Sequence, residues 1–257
     1  MADENKVNEV INKGRKILVN KWMSKSEFED LFNNNEIKEC IDNCTSPAKE
    51  DIFKAFSLFP IEETRVLILG QDPYPEPCKA EGLAFSVNEN YKNIDDSLQN
   101  IYKVAAVKKH SKSLITWSKT NKVLLLNTAL TYGNKNKNEN LTKKEKEEIQ
   151  KIHFDAWKIF INQIIKNLLT CNNKKLVVFL WGDKAKSSFH NAIYNDKDNP
   201  KVDIIQEIRK DLLVLSSSHP SNNGNAVKRG FCYEVSNHFK ACNDFLGKDA
   251  RIKWEDI

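Results

Sequence analysis

Three side chains in this sequence are well suited to chemistry, and the first lies in the run Gly70-Gln71-Asp72-Pro73-Tyr74-Pro75. A carboxylate such as Asp72 can act as a general base on water or stabilise a developing positive charge. A proline-rich turn capped by Asp72 explains the same pattern, and the motif alone leaves both interpretations open. The other two are His219, whose neutral imidazole can donate a hydrogen bond to a leaving group, and Asn127, whose amide offers a donor and an acceptor to one ligand edge.

The elements that would position these side chains are four short apolar runs, each followed by polar or tight-turn residues. Such runs, nearly continuous in Val, Leu and Ile, are typical of strands buried on both faces of a parallel sheet. The runs are Arg65–Leu69, Val123–Leu126, Leu176–Leu180 and Leu212–Leu215, and helical periodicity covers Asp96–Val107, Lys143–Leu169 with a candidate break near His153, and Asp183–Tyr194. The alternation predicts an α/β fold with a central four-stranded, mainly parallel sheet flanked by helices on both faces.

The carboxyl ends of the predicted strands bring the polar residues to one edge of the sheet. In chain order the strands are followed by Gln71-Asp72, Asn127, Trp181-Gly182 and Ser218-His219. Ligands of open α/β sheets bind beyond the carboxyl ends of the strands, so the sequence predicts a pocket there. Ordinary structural roles, a strand-end histidine and a helix-capping asparagine, also explain His219 and Asn127.

Size and composition indicate a globular protein without extreme charge. The chain has 257 residues and a formal net charge of +5, which permits a polyanionic partner without requiring one. No apolar run approaches the ~20 residues that a membrane span needs, and no secretory signal is evident at the start. The cysteines lack C-x-x-C spacing, so we expect free thiols in a reducing compartment.

We expect residues 1–257 to form a single domain, in which residues 1–50 are a helical N-terminal extension. Apolar residues recur at roughly helical spacing from residue 6 to about residue 57, and Ser46-Pro47 marks a helix start. The Asn- and Lys-rich stretch Asn134–Asn140 is typical of an exposed loop.

Further motifs accompany the first one along the chain. They are Gly82–Val87, Leu124–Thr131, Phe179–Gly182 and His219-Pro220-Ser221, together with Ser97–Lys103, Trp117, Arg229–Phe231, His238-Phe239, Asn243 and Trp254. Their order and spacing resemble the family 1 uracil-DNA glycosylases, from roughly residue 50 to the C-terminus. The resemblance implies a base-excision repair enzyme that flips deoxyuridine out of DNA and hydrolyses its N-glycosidic bond. It would release uracil and leave an abasic site, using no cofactor and no metal.

The resemblance assigns the three side chains to catalysis and base recognition. Asp72 resembles the family's catalytic aspartate, which orients the attacking water and stabilises a cationic sugar. His219 resembles the histidine that stabilises the leaving uracil anion. Asn127 resembles the residue that reads the O4 and N3-H edge of uracil, which cytosine cannot match.

Other residues are assigned to the surroundings of the base and to the DNA. Tyr74 would occupy the space that a thymine methyl group needs, and Gln71 would offer its backbone N–H near uracil O2. Phe85 would stack on the flipped base, although core packing is a fair alternative. The expected DNA contacts are Pro75, Ser187, Ser188, Ser221, Val227 and Arg229.

Three segments depart from the family pattern, and in the first of them Pro75 stands where many family members have a histidine. Asn222–Lys228 has no leucine where the family inserts one into the DNA stack, which leaves Val227 as the apolar wedge, with Arg229 as the alternative. We therefore hypothesise that the enzyme relies less on intercalation and favours single-stranded uracil. Lys186-Ser187-Ser188 lies where the family has a Gly-Ser phosphate loop, but the glycine is missing.

The expected partners are uracil-containing single- or double-stranded DNA and a DNA-mimicking inhibitor protein. We expect an intracellular monomer that acts where the DNA is and does not bind membranes. Two other functions stay open, namely a non-catalytic DNA-binding or replication-associated protein of the same fold, and a glycosylase for another damaged base. The cysteine spacing does not match an iron–sulfur cluster motif.

Overall fold

The computed structural model describes residues 2–107, 111–134, 141–171, 174–194, 209–221, 230–235 and 237–256. Its centre is a sheet of four strands, β1 (Val66–Gly70), β2 (Val123–Asn127), β3 (Leu176–Trp181) and β4 (Leu212–Ser217). The strands lie in the order β2-β1-β3-β4, and every pairing is parallel. The predicted α/β fold is therefore confirmed, and so are the four predicted strands.

Helices connect and cover the strands, as the alternation of patterns predicted. They are α1 (Ala2–Leu18), α2 (Lys25–Phe32), α3 (Asn35–Asp42), α4 (Lys54–Ser57), α5 (Asp96–Ala105), α6 (Ile115–Asn121), α7 (Lys143–Cys171), α8 (Asp183–Tyr194), α9 (Phe231–Glu234) and α10 (His238–Leu246), with 3-10 helices at Lys49–Asp51, Ile61–Glu63 and Lys248–Ala250. The segment predicted to be helical before residue 57 consists of several short helices, and a 3-10 helix begins close to Ser46-Pro47.

The candidate break near His153 is wrong, because α7 runs without interruption through that residue. His153 is buried, and its two ring nitrogens lie 2.7 Å from the Thr131 hydroxyl and 2.7 Å from the Gly133 carbonyl oxygen. The segment after β2 supplies both hydrogen-bond partners, so the polar side chain is accommodated inside the continuous helix.

Burial along the strands shows how the sheet is covered. Successive side chains of a strand point to opposite faces, so continuous burial means that both faces are packed. Every residue of β1, β2 and β3 is buried. β4, at one edge of the sheet, has half-buried and exposed positions. The helices therefore lie on both faces, as predicted.

The N-terminal helices pack on the same hydrophobic cluster as the sheet. Trp22 donates a hydrogen bond to the Phe56 carbonyl oxygen at 2.8 Å, and its ring centroid lies 5.1 Å from that of Phe56. Phe56 in turn packs edge-on against Phe160 of α7, with centroids 5.7 Å apart. Aromatic packing of this kind joins α4 to the body of the protein. The boundary of an N-terminal extension near residue 50 stays a prediction.

The described part of the chain has no helix that is long and apolar enough to cross a membrane. Its cysteines are all free thiols, as expected, and in the same residues no group of three or more His, Cys, Asp and Glu side chains could hold a metal ion. Of the stretch Asn134–Asn140, only Asn134 lies within the described residues.

Candidate active site

A cavity of about 390 Å³ opens at the carboxyl edge of the sheet, where the sequence predicted a pocket. It brings together eight of the residues singled out from the sequence. They are Gln71, Asp72, Tyr74, Pro75, Phe85, Asn127, His219 and Ser221. Pro73 and Ser97 complete the lining. Candidate residues from three separate parts of the chain therefore face one space of a size that suits a single base.

The floor of the cavity forms where β1 and β2 end side by side. Gly70 pairs with Asn127 in the parallel register, and a Cβ atom at Gly70 would lie 2.4 Å from the Asn127 amide oxygen. Beyond the strand, the Thr128 hydroxyl donates a hydrogen bond to the Gln71 carbonyl oxygen at 2.7 Å. Glycine is therefore required at Gly70 so that the Asn127 amide, only 8 % exposed, can lie against the strand end.

The Asp72 carboxyl is half-buried in the cavity wall. Burial raises its pKa to about 7, against the opposing effects of the Lys184 charge and a hydrogen bond from the Gln71 side chain. Desolvation disfavours the charged form of a carboxyl, which explains the direction. Near neutral pH, the acid and the carboxylate are therefore both populated, and Asp72 is close to the range suited to a general base.

His219 is fixed by the residues on either side of it. The Ser221 backbone N–H donates to its Nδ1 at 3.1 Å, so Nδ1 is an acceptor and the proton of the neutral ring is on Nε2. Gly182, with φ +93°, packs against the same residue, and a Cβ atom there would lie 3.1 Å from that of His219. Burial lowers the pKa of the His219 imidazole, and the charge of Asp95 opposes this shift. A neutral ring with an N–H donor at Nε2 follows.

Aromatic side chains form another part of the wall. The Phe85 ring centroid lies 5.9 Å from that of His219 and 5.7 Å from that of Trp181. Phe85 has φ +62°, a left-handed conformation that is uncommon for a residue with a side chain. Its carbonyl oxygen accepts a hydrogen bond from the Tyr74 hydroxyl at 3.2 Å. Phe85 is therefore a buried residue that also faces the cavity, and its stacking on a base stays a prediction.

Three residues near the cavity were missed by the reasoning on single side chains. Ser97 lines it at the start of α5, and Asn100 donates to the Pro220 carbonyl oxygen at 2.8 Å, which holds the chain beside His219. Both lie in the motif Ser97–Lys103, so the sequence carried a signal for them. Lys184 acts on the Asp72 carboxyl from α8, and no pattern distinguishes it from a surface lysine.

The segment Lys186-Ser187-Ser188, where the family has a Gly-Ser phosphate loop, belongs to the predicted helix Asp183–Tyr194, which is confirmed. These residues lie within α8, which begins at Asp183, directly after Gly182. Ser187 and Ser188 line a second, smaller cavity of about 170 Å³ together with Thr128 and Lys184. Without a glycine to break it, the segment continues the helix. Val227 and Arg229, the expected contacts beyond Ser221, lie outside the described residues.

Comparisons with known proteins agree with this architecture. The family model "Uracil DNA glycosylase superfamily" matches residues 56–247. A uracil-DNA glycosylase of Ureaplasma urealyticum serovar 10 is 36 % identical over 216 residues, covering 81 % of this chain and 84 % of that protein. One of Francisella tularensis subsp. holarctica is 36 % identical over 217 residues, covering 81 % and 83 %.

The fold is also found among solved structures. A single-residue variant of mimivirus UNG in complex with UGI superposes with a TM-score of 0.63 at 22 % identity, covering 93 % of this chain and 92 % of that one. At this level of identity the likeness concerns the fold. Together with the match of the family model and the identity to the bacterial proteins, it leads to one conclusion: the chain belongs to the uracil-DNA glycosylase superfamily.

Proposed function

We propose that this protein is a uracil-DNA glycosylase of base-excision repair, which hydrolyses the N-glycosidic bond of deoxyuridine in DNA. The observation that carries the proposal is that Asp72, Asn127 and His219 line one cavity of about 390 Å³. A base inside a duplex cannot reach such a cavity, so the nucleotide is flipped out of the stack before the reaction. The products are free uracil and an abasic site.

Asp72 serves the sugar side of the reaction. Cleavage of the glycosidic bond develops positive charge on the sugar, and a nearby carboxylate stabilises that charge and orients the water that attacks it. The ionised form is the active one. The pKa of Asp72 is about 7 in the free protein, with the Lys184 charge already lowering it, and the positive charge that develops on the sugar further favours the ionised form.

His219 serves the base side of the reaction. As the bond breaks, negative charge develops on uracil O2, and a donor already aimed at that oxygen lowers the barrier without reorganisation. The hydrogen bond from the Ser221 backbone to Nδ1 leaves Nε2–H as that donor. The lowered pKa of the His219 imidazole keeps the ring neutral near neutral pH, so that it acts as a neutral hydrogen-bond donor.

The walls of the cavity account for the choice of base. The Asn127 amide pairs with O4 and N3-H of uracil, whereas cytosine presents the opposite pattern and leaves buried polar groups unpaired. Tyr74 occupies the space beside C5, where thymine carries a methyl group. Phe85 stacks on the base, and the Gln71 backbone N–H lies near O2. A glycosylase for a larger damaged base would need a wider cavity, and the Tyr74 side chain fills the space required.

Contacts with DNA are proposed at the rim. Pro75 and Ser221 line the mouth of the cavity, and Ser187 and Ser188 lie in the neighbouring groove with Lys184, where a phosphate would find hydroxyls and a cation. We further propose that the protein acts as an intracellular monomer on single- and double-stranded DNA, with a preference for single strands. A DNA-mimicking inhibitor is a further proposed partner, supported by the mimivirus complex with UGI.

Release of free uracil from an oligonucleotide with one uracil, measured in EDTA, tests the function. We expect release by the wild type and a loss of about 100-fold or more for Asp72→Asn, because the base and counter-charge are removed. Failure of the wild type to release uracil would show that the proposed function is wrong, and loss of activity in EDTA alone would show that a metal takes part.

The strand preference needs its own comparison. Uracil in a single strand, opposite adenine and opposite guanine is cut at matched sequence and ionic strength, since binding weakens with salt. We expect the single strand to be cut fastest. Equal rates for the three substrates would contradict the preference and leave the glycosylase activity intact.

A further inference from the structure

A buried lysine lies behind the tyrosine of the cavity. The Lys79 ammonium nitrogen is 4.5 Å from the centroid of the Tyr74 ring and 5.8 Å from that of Tyr91. Lys79 is only 8 % exposed and is not among the residues that line the cavity, whereas Tyr74 is. The ammonium group therefore contacts the ring from outside the cavity, where a desolvated cation is attracted to an aromatic face.

Lys79 is held there by two carboxylates. Its Nζ lies 2.9 Å from Asp95 Oδ2 and 3.1 Å from Glu76 Oε1. Asp95 is also the N-cap of α5, where its side chain accepts a hydrogen bond from the Ser97 backbone N–H at 2.9 Å. The ion pair therefore ties the segment after β1 to a helix terminus. Lys79 keeps its position because moving its ammonium group away would leave the partly buried Asp95 carboxylate without a compensating charge.

Tyr74 is held by three contacts, of which the Lys79 cation provides one. The Ser46 hydroxyl donates to its carbonyl oxygen at 2.6 Å, its own hydroxyl donates to the Phe85 carbonyl oxygen at 3.2 Å, and the Lys79 cation supports its ring. Burial raises the pKa of Tyr74 well above its usual range, and so do the charge of Asp95 and the hydrogen bond to it, which the hydroxyl shares with the Phe85 carbonyl oxygen. The hydroxyl therefore stays protonated and continues to donate.

We propose that the buried Lys79–Asp95 ion pair is a positioning pair for Tyr74, and that it determines how strictly the enzyme rejects uracils with a substituent at C5. The steric exclusion by Tyr74 works only if the ring does not yield when a larger base enters. Without the cation behind it, the ring can move away from the cavity. The inference rests on the proposed function, because it concerns the selectivity of the same cavity.

The protein contains a matched control for this pair. Lys54, at the start of α4, has its Nζ 3.0 Å from Glu81 Oε2, and Glu81 lies in the same segment between β1 and α5 as Lys79. The Lys54 side chain is 21 % exposed and that of Lys79 is 10 % exposed, so both are largely buried. Neither Lys54 nor Glu81 lines the cavity. Loss of Lys54 thus removes a buried ion pair of the same kind without touching Tyr74.

The test measures kcat/KM on single-stranded oligonucleotides with uracil, 5-fluorouracil or 5-bromouracil at one position. Bromine has nearly the size of a methyl group, whereas fluorine is close to hydrogen. Electronic effects of the halogens on the leaving group are the same for every variant, so they cancel when the ratio to uracil is compared with that of the wild type. The variants are Lys79→Met, Lys79→Arg, Asp95→Asn and Lys54→Met.

We expect Lys79→Met to raise the 5-bromouracil to uracil ratio about tenfold, because the cation behind the ring is lost. The fluorouracil ratio should stay unchanged. Lys79→Arg keeps the charge and should retain the selectivity. Asp95→Asn still caps α5, since Asn is also a good N-cap, and its bromouracil ratio should rise. Because Asp95 pairs with Lys79 and also bonds the Tyr74 hydroxyl, this variant tests how Asp95 holds Tyr74 even if Lys79→Met does not fold.

Unchanged bromouracil ratios in Lys79→Met and Asp95→Asn would overturn the inference. So would an equal rise in Lys54→Met, because the effect would then reflect general loosening of the segment. Uracil release by the wild type separates the two proposals: without it the function itself fails, and with it only the role of the ion pair is in question.

Discussion

Replacing Asp72 by asparagine should stabilise the protein at high pH while removing its activity. The pKa of Asp72 is about 7 in the folded protein, compared with a value of 3.8 for an unperturbed aspartate. A group whose pKa is raised by folding stabilises the folded state below its unfolded pKa, and this contribution is lost as the pH rises through the folded value. The wild type should therefore lose stability between about pH 4 and pH 8, whereas Asp72→Asn has no such titration.

The size of the effect follows from the two pKa values. A difference of about 3 units corresponds to about 4 kcal/mol over the whole range. Because Asp72 is in partial contact with solvent, we reduce this to about 3 kcal/mol. Such a value is a sizeable fraction of the 5–15 kcal/mol or so by which proteins of this kind are stable.

Urea unfolding of both proteins at several pH values measures the effect. With a slope of about 3 kcal/mol per M for a chain of this length, the midpoint of Asp72→Asn should rise relative to the wild type by about 1 M between pH 4.5 and pH 8.5. All other titrating groups are common to the two proteins and cancel in the difference. Any effect of the asparagine side chain that does not depend on pH shifts the midpoint equally at pH 4.5 and at pH 8.5, so it also cancels.

A midpoint difference that does not depend on pH would refute the reasoning, because Asp72 would then not titrate with a raised pKa. A wild type that gains stability over Asp72→Asn as the pH rises would reverse the sign and show that the carboxylate is stabilised in the fold.

Further predictions concern the groups around Asp72. The wild-type kcat/KM should rise with pH around an apparent pKa of about 7, and Lys184→Met should move this limb to higher pH, because the cation that lowers the pKa of Asp72 is gone; a pH–rate profile decides both. Gly70→Ala should lower kcat/KM about 100-fold, because its Cβ would displace the Asn127 amide and small misplacements are costly; normal kinetics would contradict the packing. His219→Gln should lower kcat about 100-fold or more with little change in KM, as expected for a donor that acts in the transition state; a change in KM alone would assign His219 to binding.

The sheet and the edge that carries the site could be predicted from the sequence because they depend on local patterns. Continuous apolar runs predicted strands, and the ends of parallel strands must meet. Asp72, Asn127 and His219 were found in this way. These three residues were accessible to reasoning along the chain because each ends a strand or lies within two residues of its end, whereas Phe85 and Ser97 line the cavity from positions far from any strand end.

Other features depend on contacts between distant segments, which no local pattern records. His153 satisfies its ring nitrogens at Thr131 and Gly133, so a polar residue is accommodated inside α7. Lys79 and Asp95 form an ion pair only because the segment between β1 and α5 folds back on itself. In the sequence they resemble ordinary surface charges, which most lysines and aspartates are.

The order of the strands also has a consequence for how the protein acquires its activity. β1 pairs with β2 and β3 through contacts such as Val66 with Val123 and Val66 with Val177, and β4, which precedes His219, pairs with β3. Pairings between segments so far apart in the chain are slow to form, because long loops must close first. During synthesis, the strand that leads into His219 emerges after the other three. A nascent or incompletely folded chain therefore lacks the donor for the leaving base, and glycosylase activity would appear only when the sheet is complete.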